Sequence, residues 1–271
     1  MKLLNGKELA GYIQQRQVQQ VRALVQHSNI LPKLAIVQVK DDPVINTYVR
    51  LKKRYGDELG IEVESHHPTQ NEVQQVIEKL NQDDTVHGII VQLPLTDPTQ
   101  TDEIVNMVIP SKDVDALGKN PDFEPATPMA IMWLLAGFNV DLRGKKILLI
   151  GRGKLVGAPL EKQLKESGMD VSIADRSTKD LAEETLAADV IITATGSPAI
   201  LYSSMIKEKA VVVDAGVASE DGKTVGDVAP ELYERDDLTI TPEKGGVGPL
   251  TVCALFENVI RAAKNITKSD A

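Results

Sequence analysis

The chain has 271 residues, of which 42% are hydrophobic and 25% are charged, a composition typical of a globular protein with one or two domains. Its formal net charge of −9 argues against nucleic acid or an anionic membrane as a partner, so local cations must meet any anionic ligand. The single cysteine, Cys253, excludes an internal disulfide, and the lack of a leader-like or long apolar segment leads us to expect a reducing, cytoplasmic location.

Helix-like and strand-like patterns alternate along the first half of the chain. Apolar residues at helical spacing predict a first helix over residues 7–26, a second that follows Pro43 and stops at Gly60, and a third that Asn71 caps. Short runs between and after these helices predict strands over residues 34–39, 62–65 and 86–91. This alternation predicts a parallel sheet covered by helices.

The second half begins with a helix that Thr127 and Pro128 cap and that is apolar on almost every side, so we expect it to be buried. Strands then alternate with helices over residues 147–150, 171–174, 190–194 and 210–214, before a closing helix. We therefore predict an α/β fold of two domains, the second Rossmann-like, which two helices join with a cleft between them. The predicted domains are residues 1–138 with 250–271, and residues 139–249.

A glycine-rich turn follows the predicted strand over residues 147–150. Gly151, Gly153 and Gly157 lie between this strand and the start of a helical pattern. Such a turn leaves backbone N–H groups free at the positive end of a helix dipole, which suits the pyrophosphate of a dinucleotide. An ordinary strand-to-helix turn also uses glycines for tight packing, so the spacing alone has two explanations.

Lys52 and Gln92 are the first candidates for chemistry. Lys52 follows Tyr48 by four residues on the predicted helix, so the two side chains are neighbours along one edge. A lysine acts as a base near neutral pH only where burial or a nearby cation lowers its pKa. The flanking basic residues favour a solvated face, because most lysines in such runs are solvated. Gln92 ends a strand at its carboxyl end, where α/β proteins bind ligands, although its amide could bond only to backbone.

Two further segments carry candidate residues. Asp113 and Asp115 flank one valine, so alternation would turn one carboxylate inward, while a helix cap or a solvated turn explains the pair equally well. Gly246 and Pro249 lie in a glycine-rich segment just before the closing helix. That segment suits either the close approach of a flat ligand or a sharp entry into the helix.

These segments occur together in one known family. The chain carries, in the order and spacing of that family, the motifs Tyr48-Val-x-x-Lys52, Gly88-Ile-Ile-Val-Gln92-Leu-Pro-Leu, Pro110-x-Lys-Asp-Val-Asp115, Thr127-Pro128, Gly151-Arg-x-x-x-Val-Gly157-x-Pro159, Gly226-Asp-Val228 and Gly245-Gly-Val-Gly-Pro-x-Thr251. It closely resembles the bifunctional methylenetetrahydrofolate dehydrogenase/methenyltetrahydrofolate cyclohydrolase family over essentially its whole length. Ordered motifs of this number are far more specific than any one of them.

The resemblance implies that the first predicted domain binds folate and that the second binds NADP. By similarity Lys52 is the catalytic base or water activator, which Gln92 holds and tunes. Tyr48 and Asp115 complete the implied catalytic set, the tyrosine by packing on the folate rings and the aspartate by hydrogen bonding to the pterin. The residues implied to bind the substrate are Tyr48, Asp115, Gly246 and Pro249.

The residues implied to bind the cofactor are Gly151, Arg152, Gly153, Val156, Gly157, Asp175, Arg176, Ser177, Thr195 and Gly196. NADP is the expected cofactor, with Arg152 or Arg176 pairing with its 2′-phosphate and Asp175 turned away or held by Arg176. NAD stays an alternative, because Asp175 ends the second strand of its domain, where NAD enzymes carry a ribose-binding acid. The chain departs from the family pattern at Gly153, where serine is usual, and at Ala116, where glycine is usual.

Two other interpretations are open to test. Tyr-x-x-x-Lys also marks short-chain dehydrogenases, but their glycine-rich turn precedes the tyrosine, whereas here it follows Tyr48 in another domain. A non-catalytic folate or nucleotide sensor descended from the enzyme is the alternative of a different class. The family further implies a homodimer that takes one-carbon derivatives of tetrahydrofolate. The acidic charge leads us to expect no nucleic acid or membrane partner, and the single cysteine and four histidines lead us to expect no metal.

Overall fold

The computed structural model describes residues 1–220 and 223–269, and the chain divides into two compact units. The three-stranded unit, named for its sheet, comprises Tyr12–Ala126 and Val252–Ala271. The six-stranded unit comprises Met1–Gly11 and Thr127–Thr251. The domain boundaries predicted from the sequence, residues 1–138 with 250–271 and residues 139–249, stay a prediction.

Helices and strands alternate along most of the chain, as predicted. The helices are α1 (Gly6–Ser28), α2 (Pro43–Leu59), α3 (Val73–Gln82), α4 (Thr101–Val105), α5 (Ala126–Gly137), α6 (Gly157–Glu166), α7 (Leu181–Ala187) and α8 (Val247–Ser269). The strands are β1 (Lys2–Leu3), β2 (Lys33–Gln38), β3 (Glu62–His66), β4 (Gly88–Gln92), β5 (Lys146–Ile150), β6 (Asp170–Ala174), β7 (Val190–Thr193), β8 (Val211–Asp214), β9 (Ala218–Glu220), β10 (Lys223–Val225) and β11 (Thr239–Ile240). No helix within residues 1–220 and 223–269 has the length and apolar character to cross a membrane.

The sheet of the three-stranded unit is parallel, with the strand order β3-β2-β4. The central strand β2 is buried beyond its first residue, as an apolar run in a parallel sheet must be. Apolar side chains of β2, β4, α3 and α4 form one continuous core. The parallel sheet predicted for this part of the chain is therefore confirmed, and β4 ends at Gln92.

Local signals set both ends of α2. The Asp42 carboxylate accepts hydrogen bonds from two backbone N–H groups of the first turn, at 2.9 and 3.4 Å, and Pro43 opens the helix. Gly60 ends the helix in the left-handed region, with φ of 77°. The helix that carries Lys52 is thus fixed at its start and at its end.

The start of α3 differs from the prediction. Glu72, rather than Asn71, precedes the first helical residue. The Glu72 carboxylate turns back to Thr69, accepting from its N–H at 3.0 Å and from its hydroxyl at 2.7 Å. The Glu72 side chain therefore fixes the turn that precedes α3 and makes no capping hydrogen bond to the helix itself.

The sheet of the six-stranded unit has the order β1-β11-β8-β7-β5-β6, and all its strands are parallel. β6 lies on one side of β5 and β7 on the other, so the strand order reverses between β5 and β7. Open α/β sheets bind ligands outside the carboxyl ends of the strands at such a reversal. This Rossmann-like arrangement confirms the fold predicted from the glycine-rich turn. The short strands β1 and β11 and the antiparallel pair of β9 and β10 were not predicted.

Candidate active site and nucleotide crevice

Lys52 and Gln92 are in direct contact. Lys52 lies on α2, and Gln92 is the last residue of β4. The Lys52 Nζ donates a hydrogen bond to Gln92 Oε1 at 2.8 Å, across a sequence separation of 40 residues. The Gln92 Nε2 donates to the backbone carbonyl of Leu93 at 3.2 Å, which directs the amide oxygen at the lysine. The predicted pair is therefore assembled in the structure.

The surroundings of Lys52 favour its neutral amine. Burial lowers the pKa of Lys52, and the charge of Asp115, which acts to raise that pKa, offsets only part of the effect. A lysine with a lowered pKa is uncharged in a larger fraction of molecules and can accept a proton from water. A fully solvated helix face, the alternative explanation for this lysine, does not describe its position.

The two aspartates of the same segment have different environments. Asp113 turns inward, is 3% exposed, and accepts a hydrogen bond from the N–H of Gly118 at 2.8 Å. Burial raises the pKa of the Asp113 carboxyl, although its backbone donors act to lower it. Asp115 is half-buried, and its charge acts on Lys52. Asp113 therefore shapes the loop, and Asp115 is the carboxylate that acts on the lysine.

Two residues that sequence reasoning left without a role anchor this loop to neighbouring helices. The Lys112 Nζ is directed at the end of α3, where it donates to three backbone carbonyls at 3.0, 2.9 and 2.7 Å. Asn258, a fully buried residue of α8, donates from Nδ2 to the carbonyl of Val114 at 2.9 Å. The position of Lys112 within the Pro110–Asp115 motif could have marked it as important. No local pattern in α8 indicates that Asn258 contacts this loop.

An exposed apolar strip lies on α2 beside Lys52. Val44, Tyr48 and Leu51 are 54%, 41% and 48% exposed, and their helical spacing places them on one side of the helix. Large apolar side chains grouped on a surface mark a place where a ligand or a partner binds. An apolar strip next to an amine of lowered pKa suits a ligand with flat rings and a reactive polar centre.

The glycine turn has the geometry that a dinucleotide site needs. Gly151 has φ of 94°, which favours glycine, and it directly follows β5. A Cβ at Gly157, the first residue of α6, would overlap the carbonyl oxygen of Gly151. Val156 immediately precedes the helix, and a Cβ at Gly153 would meet nothing within 4 Å, so the structure would also accommodate the usual serine at this position. The turn therefore fits a pyrophosphate at the strand reversal.

The charged residues of the crevice are arranged differently from the prediction. Ser177, rather than Arg176, holds Asp175, since the Asp175 Oδ1 accepts from the Ser177 N–H at 2.8 Å and hydroxyl at 2.6 Å. These two bonds, and more weakly the charge of Arg152, lower the pKa of Asp175. The Arg152 Nε itself donates to Glu161 at 2.7 Å. Arg176 is exposed and makes no hydrogen bond or ion pair with a described residue.

Thr195 and Gly196 form a turn just after β7. Gly196 has φ of 65°, and a Cβ on Gly151 would lie 3.0 Å from the Thr195 Cγ2. The two turns at the strand reversal are therefore in contact. Gly246 and Pro249, predicted to wall the substrate pocket, lie in the six-stranded unit, with Pro249 in the first turn of α8.

Within the part of the chain that the structure describes, no group of three or more histidine, cysteine, aspartate or glutamate side chains could hold a metal ion.

Comparison with known proteins agrees with this geometry. A family model described as tetrahydrofolate dehydrogenase/cyclohydrolase, catalytic domain, matches residues 4–115. A second model, described as the NAD(P)-binding domain of the same family, matches residues 125–267. The bifunctional protein FolD of Campylobacter jejuni is 40% identical over 280 aligned positions, which cover 98% of this chain and 99% of that protein.

Solved structures give the same result. The crystal structure of the bifunctional enzyme FolD, methylenetetrahydrofolate dehydrogenase/cyclohydrolase, from Campylobacter jejuni has a TM-score of 0.92 and 40% identity, covering 98% of this chain and 99% of that one. The Trypanosoma brucei dehydrogenase-cyclohydrolase, described as complexed with NADP cofactor and inhibitor, has a TM-score of 0.91 and 28% identity, covering 98% of each chain.

Proposed function

Because the chain belongs to the tetrahydrofolate dehydrogenase/cyclohydrolase family, we propose that it is a bifunctional one-carbon folate enzyme. Its first reaction oxidises methylenetetrahydrofolate to methenyltetrahydrofolate with NADP, and its second hydrolyses the methenyl compound to formyltetrahydrofolate. The hydrogen bond between Lys52 and Gln92 carries this proposal, because it fixes an amine of lowered pKa where a water could be activated.

In the dehydrogenase reaction the protein binds and aligns two molecules. When bound, NADP supplies the acceptor for the hydride that leaves the methylene carbon. Hydride transfer depends on proximity and alignment more than on acid or base groups, so positioning supplies most of this catalysis. The turn that contains Gly151 and Gly157 would hold the pyrophosphate, with Val156 and the turn of Thr195 and Gly196 completing the crevice.

In the cyclohydrolase reaction Lys52 acts as the base. Water adds to the methenyl carbon, whose positive charge is shared with its two neighbouring nitrogens, and the neutral Lys52 amine takes the proton from that water. The Gln92 oxygen keeps the amine oriented before the transfer and accepts from the ammonium after it. The charge of Asp115 also stabilises that ammonium. The ammonium then gives this proton to the nitrogen that leaves as the ring opens. The hydroxyl of the adduct loses its own proton to the regenerated amine as the formyl carbonyl forms, and that proton passes to solvent.

Four residues are assigned to the folate substrate. Asp115 hydrogen-bonds to the pterin, and Tyr48 packs on the folate rings with its exposed face. Gly246 and Pro249 wall the substrate pocket. The support for these roles is the match of their motifs to the family and, for Tyr48 and Asp115, their position beside Lys52.

NADP, rather than NAD, is the proposed cofactor. The relative from Trypanosoma brucei is described as an NADP complex. In this chain the Arg152 Nε already donates a hydrogen bond to Glu161. Arg176 is exposed and makes no hydrogen bond to a described residue. Arg176 is therefore the more available partner for a 2′-phosphate, with the remaining donors of Arg152 beside it. The negative charge of Asp175, whose carboxylate accepts a hydrogen bond from Ser177, acts against binding of the 2′-phosphate.

Turnover with each nucleotide tests this function. Purified protein is mixed with methylenetetrahydrofolate and either NADP or NAD, and reduced nicotinamide and formyl product are both followed. We expect both products, with the higher kcat/KM for NADP. Binding of folate and nucleotide without any turnover would instead identify a non-catalytic sensor. Efficient turnover with NAD alone would make the cofactor assignment wrong.

We also propose a homodimer, a cytoplasmic location, and two domains: a folate-binding domain of residues 1–138 with 250–271 and an NADP-binding domain of residues 139–249. The family resemblance supports the dimer, and the single cysteine supports a reducing compartment. Light scattering of the purified protein tests the dimer, since a monomeric mass at working concentration would contradict it.

A further inference from the structure

Asp227 is a fully buried carboxylate that the predicted site does not include. Its Oδ2 accepts a hydrogen bond from the N–H of Thr195 at 2.8 Å, and its Oδ1 accepts from the N–H of Ser197 at 3.0 Å. The two bonds span Gly196, which needs the left-handed backbone conformation. Both carboxylate oxygens are therefore used to fix a single turn.

Asp214 holds Asp227 in turn. Asp214, the last residue of β8, accepts from the N–H groups of Asp227 at 3.2 Å and Val228 at 3.1 Å. Neighbouring glycines make room for the pair, since a Cβ on Gly216 would overlap the Asp227 carboxylate and one on Gly226 would overlap that of Asp214. The two carboxylates are therefore packed tightly, and each lies where a side chain at the neighbouring glycine would overlap it.

The turn that Asp227 holds lies at the strand reversal. It follows β7 directly, next to β5 in the sheet. A Cβ on Gly151 would lie 2.8 Å from the carbonyl oxygen of Ala194 and 3.0 Å from the Thr195 Cγ2. A shift of this turn would therefore alter the surface against which the glycine turn packs, at the place where an open α/β sheet binds its dinucleotide.

We propose that Asp227 is a positioning residue for the NAD(P) site, acting through the turn of Thr195, Gly196 and Ser197. This inference rests on the proposed function, because it takes that crevice as the cofactor site. A carboxylate is required because each oxygen accepts from a different N–H group. An asparagine of the same shape offers one acceptor, and its amide N–H₂ would face the other backbone donor. One buried N–H group would then be left without a partner.

Asp227→Asn tests the proposal through two readouts that a merely structural role would not separate. NADPH fluorescence titration gives the Kd for cofactor without turnover, and hydrolysis of methenyltetrahydrofolate in the absence of nucleotide reports the chemistry at Lys52 and Gln92. We expect the Kd for NADPH to rise by about tenfold or more, as for the loss of a buried hydrogen bond, with hydrolysis within about twofold of the parent. Amide hydrogen exchange at Thr195 and Ser197 should also become faster in the free protein.

Asp180→Asn is the matched control. Asp180 caps α7 in the same unit by accepting from the N–H of Glu183 at 3.0 Å, and it is exposed. It should leave the Kd for NADPH unchanged. An unchanged Kd in folded Asp227→Asn protein would overturn the proposal, as would a parallel loss of cofactor binding and hydrolysis.

Gly216→Ala provides a second test of the role of Asp227 if the Asp227→Asn variant does not fold. Its Cβ would press on the Asp227 carboxylate from outside the cofactor turn, at a position whose φ is not in the left-handed region. We expect the same selective rise in the Kd for NADPH, and an unchanged Kd would overturn the proposal. Failure of the proposed function has a different signature, since the parent protein itself would then bind no NADPH or hydrolyse no methenyltetrahydrofolate.

Discussion

Replacing Lys52 by methionine removes the amine and keeps the length of the side chain. The variant loses the hydrogen bond of 2.8 Å to Gln92 and the group proposed to accept the proton from water. A positioned base contributes about 10²–10⁴-fold to a rate, so the cyclohydrolase kcat should fall by about that factor. The KM for folate should change little, because the apolar stem of the side chain is preserved.

The same substitution should not weaken the fold. Since burial lowers the pKa of Lys52 in the folded chain, an ammonium there costs stability below that pKa, and the cost disappears as pH rises into the ordinary range of lysine. Lys52→Met removes the group that carries this cost. At neutral pH its melting temperature should therefore equal or exceed that of the parent, so loss of activity cannot be attributed to unfolding.

Initial rates of methenyltetrahydrofolate hydrolysis measure the effect, with thermal unfolding followed on the same samples. Lys53→Met is the matched control, because Lys53 is the next residue of α2 and is also half-buried. The control should hydrolyse the substrate at a rate close to that of the parent. Hydrolysis by Lys52→Met within about threefold of the parent would refute the role of this amine as the base.

Three other predictions concern charge and backbone. Asp115→Asn removes a charge that raises the pKa of Lys52, so the acidic limb of the cyclohydrolase pH profile should move to lower pH, and movement to higher pH would contradict this. Arg176→Ala should raise the KM for NADP by about tenfold or more with little effect on the KM for NAD. Asp175→Asn should raise the ratio of kcat/KM for NADP to that for NAD. Equal effects of either substitution on both nucleotides would exclude a 2′-phosphate contact. Ala116 has φ of 56°, so Ala116→Gly should raise the free energy of unfolding by up to about 1 kcal/mol in urea titrations, and a decrease of that size would contradict the strain.

Features of the fold that depend on short stretches of sequence were predictable. Pro43 and Gly60 lie at the ends of α2, and the glycine turn follows its strand, because capping and positive φ are determined by a few neighbouring residues. The hold of Ser177 on Asp175 also had a local signal, since an aspartate two residues before a serine often forms such a turn. The expected pairing of Asp175 with the adjacent Arg176 was therefore wrong.

Contacts between distant segments were not predictable in the same way. Lys52 and Gln92 were paired only through the family resemblance, because no periodicity relates α2 to the end of β4. Asn258 bonds to the carbonyl of Val114 across 144 residues, and a buried asparagine on an apolar helix carries no sign of its partner. Such contacts depend on how elements pack, which the pattern of one element does not encode.

Product analysis of one reaction tests the central claim most directly, namely that this chain performs both steps. The purified protein is given methylenetetrahydrofolate and NADP alone, and reduced nicotinamide, methenyltetrahydrofolate and formyltetrahydrofolate are quantified together over time. The account predicts formyl product in step with NADPH, and accumulation of the methenyl compound in Lys52→Met. Formation of NADPH by the parent with the methenyl compound decaying only at its uncatalysed rate would contradict a second activity at Lys52 and Gln92.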